Sequence, residues 1–193
     1  MPTLMIVIAS MRPGRVGLPV GRWFEDRARA HGGFEVQVVD LAELRLPFMD
    51  EPNHPRLRQY TQQHTKRWSA MVDSADAFAL VTPEYNHGYS PALKNALDYL
   101  NQEWRHKPVG FVSYGGVSAG TRAAAMLEPV LIALQMTALA QAVHIPFVAQ
   151  FIDDEGDVDA NEVMEKSADA LLDELLRVGD ALRQLREASS SLA

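Results

Sequence analysis

The chain has 193 residues, 47% apolar and 22% charged, with a net charge of −7 and no cysteine. That length suits one domain, expected to fill residues 1–188 with 189–193 as a frayed tail, and the acidic balance argues against a nucleic-acid partner without excluding a small anion held by local arginines. The missing cysteines exclude disulfides, thiolate catalysis and Cys-ligated zinc or iron–sulfur centres.

Residues 4–9 (LMIVIA) form a continuous apolar run, as expected of a parallel strand covered on both faces. The run stops at Ser10, and a loop holding Arg12, Gly14, Arg15 and Gly17 follows. Residues 18–31 place Val20, Phe24 and Ala28 at four-residue spacing, an amphipathic helix closed by Gly32 and Gly33. Residues 34–39 (FEVQVV) read as an outer strand. Three prolines make 41–56 a long loop, in which Leu46-Pro47-Phe48-Met49 either folds back on the core or forms a ligand or partner rim. A surface-covering helix is expected over 57–74 and a second buried strand over 76–82.

Residues 91–101 predict a helix with Ser90 and Pro91 as its start signals, and 108–114 (PVGFVSY) predict a strand ended by two glycines. The next helix is expected over 118–136, capped by Ser118, apolar nearly all round, and kinked or restarted at Pro129. Residues 143–151 (VHIPFVAQF) suggest the last strand, with Pro146 placing it at an edge or a bulge. An acidic solvated loop at 152–161 leads into a long helix over 161–187 that packs on the sheet. No apolar run is long enough to span a bilayer, and the N-terminal run reads as a strand rather than a signal peptide, so the cytoplasm is the expected location.

Five strands alternating with helices predict a doubly wound α/β fold with helices on both faces and a parallel sheet of order 2-1-3-4-5. Ligands of such sheets lie beyond the strands' C-terminal ends, at the switch point between strands 1 and 3. Three loops meet on that rim. The first, Ser10 to Gly17, combines a hydroxyl and two arginines with a helix start, whose free N–H groups and partial positive charge favour a phosphate. The second is Pro83-Glu84-Tyr85-Asn86, followed by His87 and Gly88, and the third is Ser113-Tyr114-Gly115-Gly116.

These loops, together with Ser90-Pro91-Ala92-Leu93-Lys94-Asn95-Ala96-Leu97-Asp98, resemble the NAD(P)H-dependent FMN reductases. The resemblance runs in order through nearly the whole chain and implies a flavodoxin-like fold. It implies that FMN is bound and that NADPH or NADH is the co-substrate. The electrons would pass to a small oxidant: free flavin, a quinone, an azo compound or an oxidised metal ion. Ser10, Arg12, Arg15 and the backbone near Val16 and Gly17 would then bind the FMN phosphate. Pro83, Glu84, Tyr85 and Asn86 would hold the isoalloxazine edge, with Tyr85 beside the ring. The third loop, from Ser113 and Tyr114 to Gly115 and Gly116, would let the main chain approach the flavin, since glycine lacks a Cβ.

Three positions depart from many members of that family: Ala9 stands where they carry Gly, Arg15 where they carry Ser, and Gly17 where they carry Asn. No catalytic side chain is expected, because the flavin carries the redox chemistry. His87 reads as solvated, and Glu84 as a loop hydrogen-bonding residue. No metal site is expected from the scattered histidines. The resemblance further implies a homodimer or homotetramer; the helix 118–136, more apolar than a one-sided helix needs, and the segment Leu46 to Met49 read as its contact surfaces. An FMN-binding electron carrier or redox sensor with little turnover is the alternative reading.

Overall fold

The computed structural model describes residues 1–190, so the remainder of the expected frayed tail, 191–193, lies outside the described residues. Five strands form one sheet: β1 (Thr3–Ile8), β2 (Glu35–Asp40), β3 (Ala77–Pro83), β4 (Pro108–Tyr114) and β5 (Thr137–Ile145). Their order is β2-β1-β3-β4-β5, and every neighbouring pair is parallel. This is the flavodoxin-like arrangement expected from the strand and helix alternation.

Each central strand serves two cores, because alternate side chains point to opposite faces. Met5 and Val7 of β1 join one apolar cluster, and Leu4, Ile6 and Ile8 join the other. The first cluster is closed by α3 (Gln63–Ser74), α4 (Pro91–Asp98) and α5 (Thr121–Ala133). The second is closed by α1 (Gly17–His31) and α6 (Glu162–Ser190). The remaining helix, α2 (Leu41–Leu44), is a single turn after β2, capped by the Asp40 carboxylate, which accepts from the Ala42 N–H at 3.0 Å.

Several boundaries differ from the sequence expectation. The last strand lies at 137–145 rather than 143–151. It is the sheet edge, so Leu139, Val143 and Ile145 are buried while Thr137, Ala138, Ala140 and Gln141 face solvent. That weak alternation hides it in the sequence, whereas the apolar run beyond it winds into a 3-10 turn, Val148–Phe151, after Pro146. The expected helix over 118–136 is shortened to α5, which continues through Pro129 without restarting. Pro129 is exposed, so the carbonyl whose partner it removes can be hydrated. Ser118 is not the cap of α5; Gly120, with φ +79°, stands there. Of residues 57–74 only α3 is an α-helix, and α4 ends at Asp98. Ser90 occupies the N-cap position of α4 without a capping side-chain bond.

Two indoles fix α4 against the sheet. Trp68 Nε1 donates to the Ala96 carbonyl at 2.9 Å, and Trp104 Nε1 to the Leu97 carbonyl at 3.2 Å. The rings meet edge to face at 5.9 Å, and both are buried. Close packing also explains Gly110 in β4: a Cβ there would lie 2.3 Å from Leu171 Cδ1 of α6. At the far end of α3, the buried Lys107 ammonium donates to the Val72 and Asp73 carbonyls at 2.8 and 3.1 Å.

Burial lowers the Lys107 pKa to about 8 from its ordinary 10.5, although Asp73 opposes the shift. Between pH 8 and 10.5 the unfolded chain therefore holds this proton while the folded chain releases it, so stability rises with pH across that window. Urea denaturation of the wild type and a Lys107→Met variant at a series of pH values checks this. The wild type is expected to gain about 1.4 kcal/mol on the variant for each unit separating its two pKa values. A flat difference would contradict a buried, depressed ammonium.

Candidate active site

The first loop leaves β1 at the switch point expected for a ligand. Pro13 and a left-handed Gly14 (φ +68°) occupy the centre of a turn closed by the Arg15 N–H on the Arg12 carbonyl at 3.1 Å. This turn swings Arg15 back under the loop. Its guanidinium donates to the Ser10 carbonyl at 2.7 Å and forms a two-pronged ion pair with Asp40 at the end of β2. Arg15 and Asp40 are largely buried, with side chains 15% and 7% exposed. The Arg12 side chain is exposed and makes no ion pair or hydrogen bond among the described residues.

Helix α1 then starts with no side-chain cap at Val16 and no acidic residue in its first turn. Its first N–H groups are thus left for another partner. Ser10 and Tyr114 stand over this helix start, 1% and 4% exposed. Neither hydroxyl has a hydrogen-bond partner among the described residues. Only a glycine fits beneath them: a Cβ on Gly17 would lie 2.2 Å from both hydroxyl oxygens. Burial pushes the Tyr114 phenol up to about 12, so it remains a protonated donor at physiological pH.

The second loop is a two-residue reversal. Tyr85 and Gly88 exchange backbone hydrogen bonds at 2.8 and 2.9 Å, and both central residues, Asn86 (φ 49°) and His87 (φ 69°), are left-handed. That is the pattern of a type I′ turn, which suits Asn and strains His. Glu84 anchors the turn from behind. Its carboxylate accepts from Ser118 Oγ at 2.9 Å and from Arg122 Nε at 2.6 Å. Burial alone would raise the Glu84 pKa, but the Arg122 and Ser118 hydrogen bonds and the Arg122 charge hold it below the ordinary value.

In the third loop Ser113 turns away from the rim. It is fully buried, donates to the Ala119 carbonyl at 2.7 Å and lies 2.7 Å from His144 Nδ1. Ala119 (φ 53°) and Gly120 (φ +79°) are held in left-handed conformations beside it. Gly120 has no alternative, since a Cβ there would meet Tyr114 N at 2.8 Å.

Two adjoining cavities lie along these loops, sharing Arg12, Glu84 and Tyr85. The smaller, about 200 Å³, is walled by Ser10, Arg15, Val16, Pro83, Tyr114 and Gly115. The larger, about 760 Å³, runs between Asn86 and α4 on one side and Leu46, Pro47 and Phe48 on the other. Of the Leu46 segment, Leu46 packs on the core, while Pro47 and Phe48 line the larger cavity as its rim. Asn95 ties that rim down, donating to the Pro47 carbonyl at 2.7 Å and accepting the Met49 N–H at 3.1 Å.

Most of the expected site residues converge on this cleft: Ser10, Arg12, Val16, Pro83, Glu84, Tyr85, Asn86, Tyr114 and Gly115 line it, with Gly17 directly beneath the hydroxyls. Ser113 and Gly116 do not line either cavity. Arg15 reaches the smaller cavity, but its charge is committed to Asp40 rather than left free for an anion. Asp40, Arg122 and Asn95 are structural partners that the sequence reading missed. The lone acid ending β2 was the one available signal for Asp40.

The Arg15–Asp40 pair is largely desolvated, so either half alone is a liability. Arg15→Ala and Asp40→Ala are each expected to destabilise the fold by about 2 kcal/mol in urea. The double variant should fall short of additivity by about 1 kcal/mol. Simple additivity would contradict a coupled pair.

The sequence model of the NADPH-dependent FMN reductase family matches residues 2–150. An NAD(P)H-dependent FMN reductase of a Nectria species is 36% identical over 156 residues, 77% of each chain. Its counterpart in Schizosaccharomyces pombe is 40% identical over 121 residues, which are 62% of this chain and 60% of that protein's length. Among solved structures, the flavoenzyme NAD(P)H:(acceptor) oxidoreductase FerB of Paracoccus denitrificans shares the fold with a TM-score of 0.74 at 20% identity, over 94% of this chain and 98% of that one. The chain belongs to the NADPH-dependent FMN reductase family.

Proposed function

We propose that this chain is an FMN-dependent NAD(P)H oxidoreductase that passes reducing equivalents to a small oxidant. One observation carries the reading: two unpartnered buried hydroxyls and an uncapped helix start stand at one end of a cleft whose other end is apolar. Those donors fit a phosphate, and the apolar end fits a flat ring. Ser10, Arg12 and the N–H groups at Val16 and Gly17 would hold the phosphate. Pro83 to Asn86 would hold the ring edge, on a turn that Arg122 and Ser118 fix through Glu84.

FMN bound there would supply the redox chemistry, accepting a hydride from NADH or NADPH and returning electrons to the oxidant. The protein's own work is placement. Gly115 brings the main chain to the cavity wall, and Pro47 and Phe48 line the apolar end. No side chain on this rim is assigned a proton-transfer role.

The proposal includes a second copy of the chain. Helix α5 leaves Met126 and Ile132 exposed on either side of Pro129, more apolar surface than a solvated helix face needs. The cytoplasm remains the proposed location; among the described residues no helix is long and apolar enough to cross a membrane.

The test is a visible spectrum of the protein after incubation with FMN and removal of free flavin, followed by anaerobic NADH or NADPH. Retained flavin bands that bleach are expected. Bands that persist would replace the enzyme with a carrier or sensor, and no retained flavin would overturn the reading. Light scattering of the same sample should give at least twice the chain mass; a monomer at micromolar concentration would contradict the α5 contact.

A further inference from the structure

We propose that the Tyr114 hydroxyl is a direct phosphate ligand, working with Ser10 at the start of α1. The sequence resemblance places Tyr114 with the loop that approaches the flavin ring. The structure puts its hydroxyl elsewhere, over Gly17 and beside Ser10, at the opposite end of the cleft.

A phenol 4% exposed at the end of a central strand ordinarily finds a partner, because burying an unbonded hydroxyl is unfavourable. Here neither the phenol nor the Ser10 hydroxyl has a partner in hydrogen-bonding geometry among the described residues, and the two face each other. Both oxygens converge on one point, the Cβ position that Gly17 leaves vacant, 2.2 Å from each. They converge where helix α1 presents its uncapped N–H groups, and both residues line the same cavity of about 200 Å³ as Arg12 and Val16.

Two neutral donors, free helix N–H groups and an arginine without an ion pair form a donor set for a tetrahedral oxyanion. Arg15 adds field but is engaged by Asp40, which makes the hydroxyls more important to the anion than the loop's two arginines suggest. Glycine at position 17 is then required for a specific reason: any side chain there would displace both donors from the helix start. With its pKa raised to about 12 by burial, the phenol keeps its proton at any pH the enzyme works in, so it donates rather than repels.

The inference rests on the flavin-phosphate reading of the cleft, and the experiment separates the two. Fluorescence titrations of FMN and of riboflavin, which lacks the phosphate, are made on the wild type and on Tyr114→Phe. Inorganic phosphate is titrated against the thermal midpoint of both flavin-free proteins. Loss of one hydrogen bond to a charged group predicts about ten-fold weaker FMN binding by Tyr114→Phe. Riboflavin affinity should stay within about two-fold, and phosphate should raise the variant's midpoint less than the wild type's. The flavin-free variant should be no less stable than the wild type, since it loses only an unpartnered oxygen.

Equal FMN affinity in the two proteins would overturn the assignment while leaving the flavin reading intact. So would parallel losses for FMN and riboflavin, which would make Tyr114 a purely structural residue. A wild type that responds to phosphate through Tyr114 but takes up no FMN would keep the ligand assignment and overturn the flavin reading. Should Tyr114→Phe fail to fold, Ser10→Ala must show the same selective loss for FMN over riboflavin, or the two-hydroxyl site is wrong.

Discussion

Helix α1 begins against the C-terminal ends of the central strands with its first N–H groups uncapped and two buried hydroxyls aimed at them. A fold tolerates few such groups, since each buried polar atom without a partner costs about 1–3 kcal/mol. Most other buried polar groups of the described chain find internal partners, with Arg27 Nε, Thr65 Oγ1 and Arg105 Nε as scattered exceptions. Asp40 answers Arg15, Glu84 answers Arg122, and Ser113 answers Ala119. At α1 two such groups meet in one small cavity, and most of the site is arranged around it.

The sheet makes that concentration possible. Parallel strands all end on one rim, and the order β2-β1-β3-β4-β5 opens a crevice where the connections diverge. β1 delivers Ser10, β3 delivers Pro83 to Asn86, and β4 delivers Tyr114 and Gly115. Helix α4, held by the indoles of Trp68 and Trp104, forms the far wall and carries Asn95, which ties down the Pro47–Phe48 rim. The polar end is therefore built from strand ends, and the apolar end from a helix and a loop anchored to it. Placing a charged and a flat apolar moiety of one ligand in fixed relation needs both to be rigid.

The parts legible in the sequence were those whose physics is local. Apolar runs marked β1, β3 and β4, and a strand ending in a hydroxyl-and-arginine loop marked the polar end of the cleft. The Pro83 to Asn86 loop stood out through its likeness to the FMN reductases rather than through its turn chemistry. What was hidden depended on contacts between distant segments. Arg15 looks free in sequence because Asp40 is 25 positions away. Ser113 looks like a rim residue because nothing local announces that its hydroxyl turns inward to Ala119 and His144. The edge strand β5 was misplaced because one exposed face dilutes its apolar pattern, while the apolar run after Pro146 is a 3-10 turn packed on the sheet rim.

The central claim is that the start of α1 is built for a phosphate dianion. Phosphorus NMR of the FMN-loaded protein tests it most directly, because a free phosphate monoester takes up its second proton near about pH 6. Hydrogen-bond donors and a helix N-terminus favour the fully charged form, so the bound resonance should stay at the dianion position from about pH 8 to about pH 5. A bound resonance that titrates near pH 6 like free FMN would show a phosphate left in solvent, and the account of this site would be wrong.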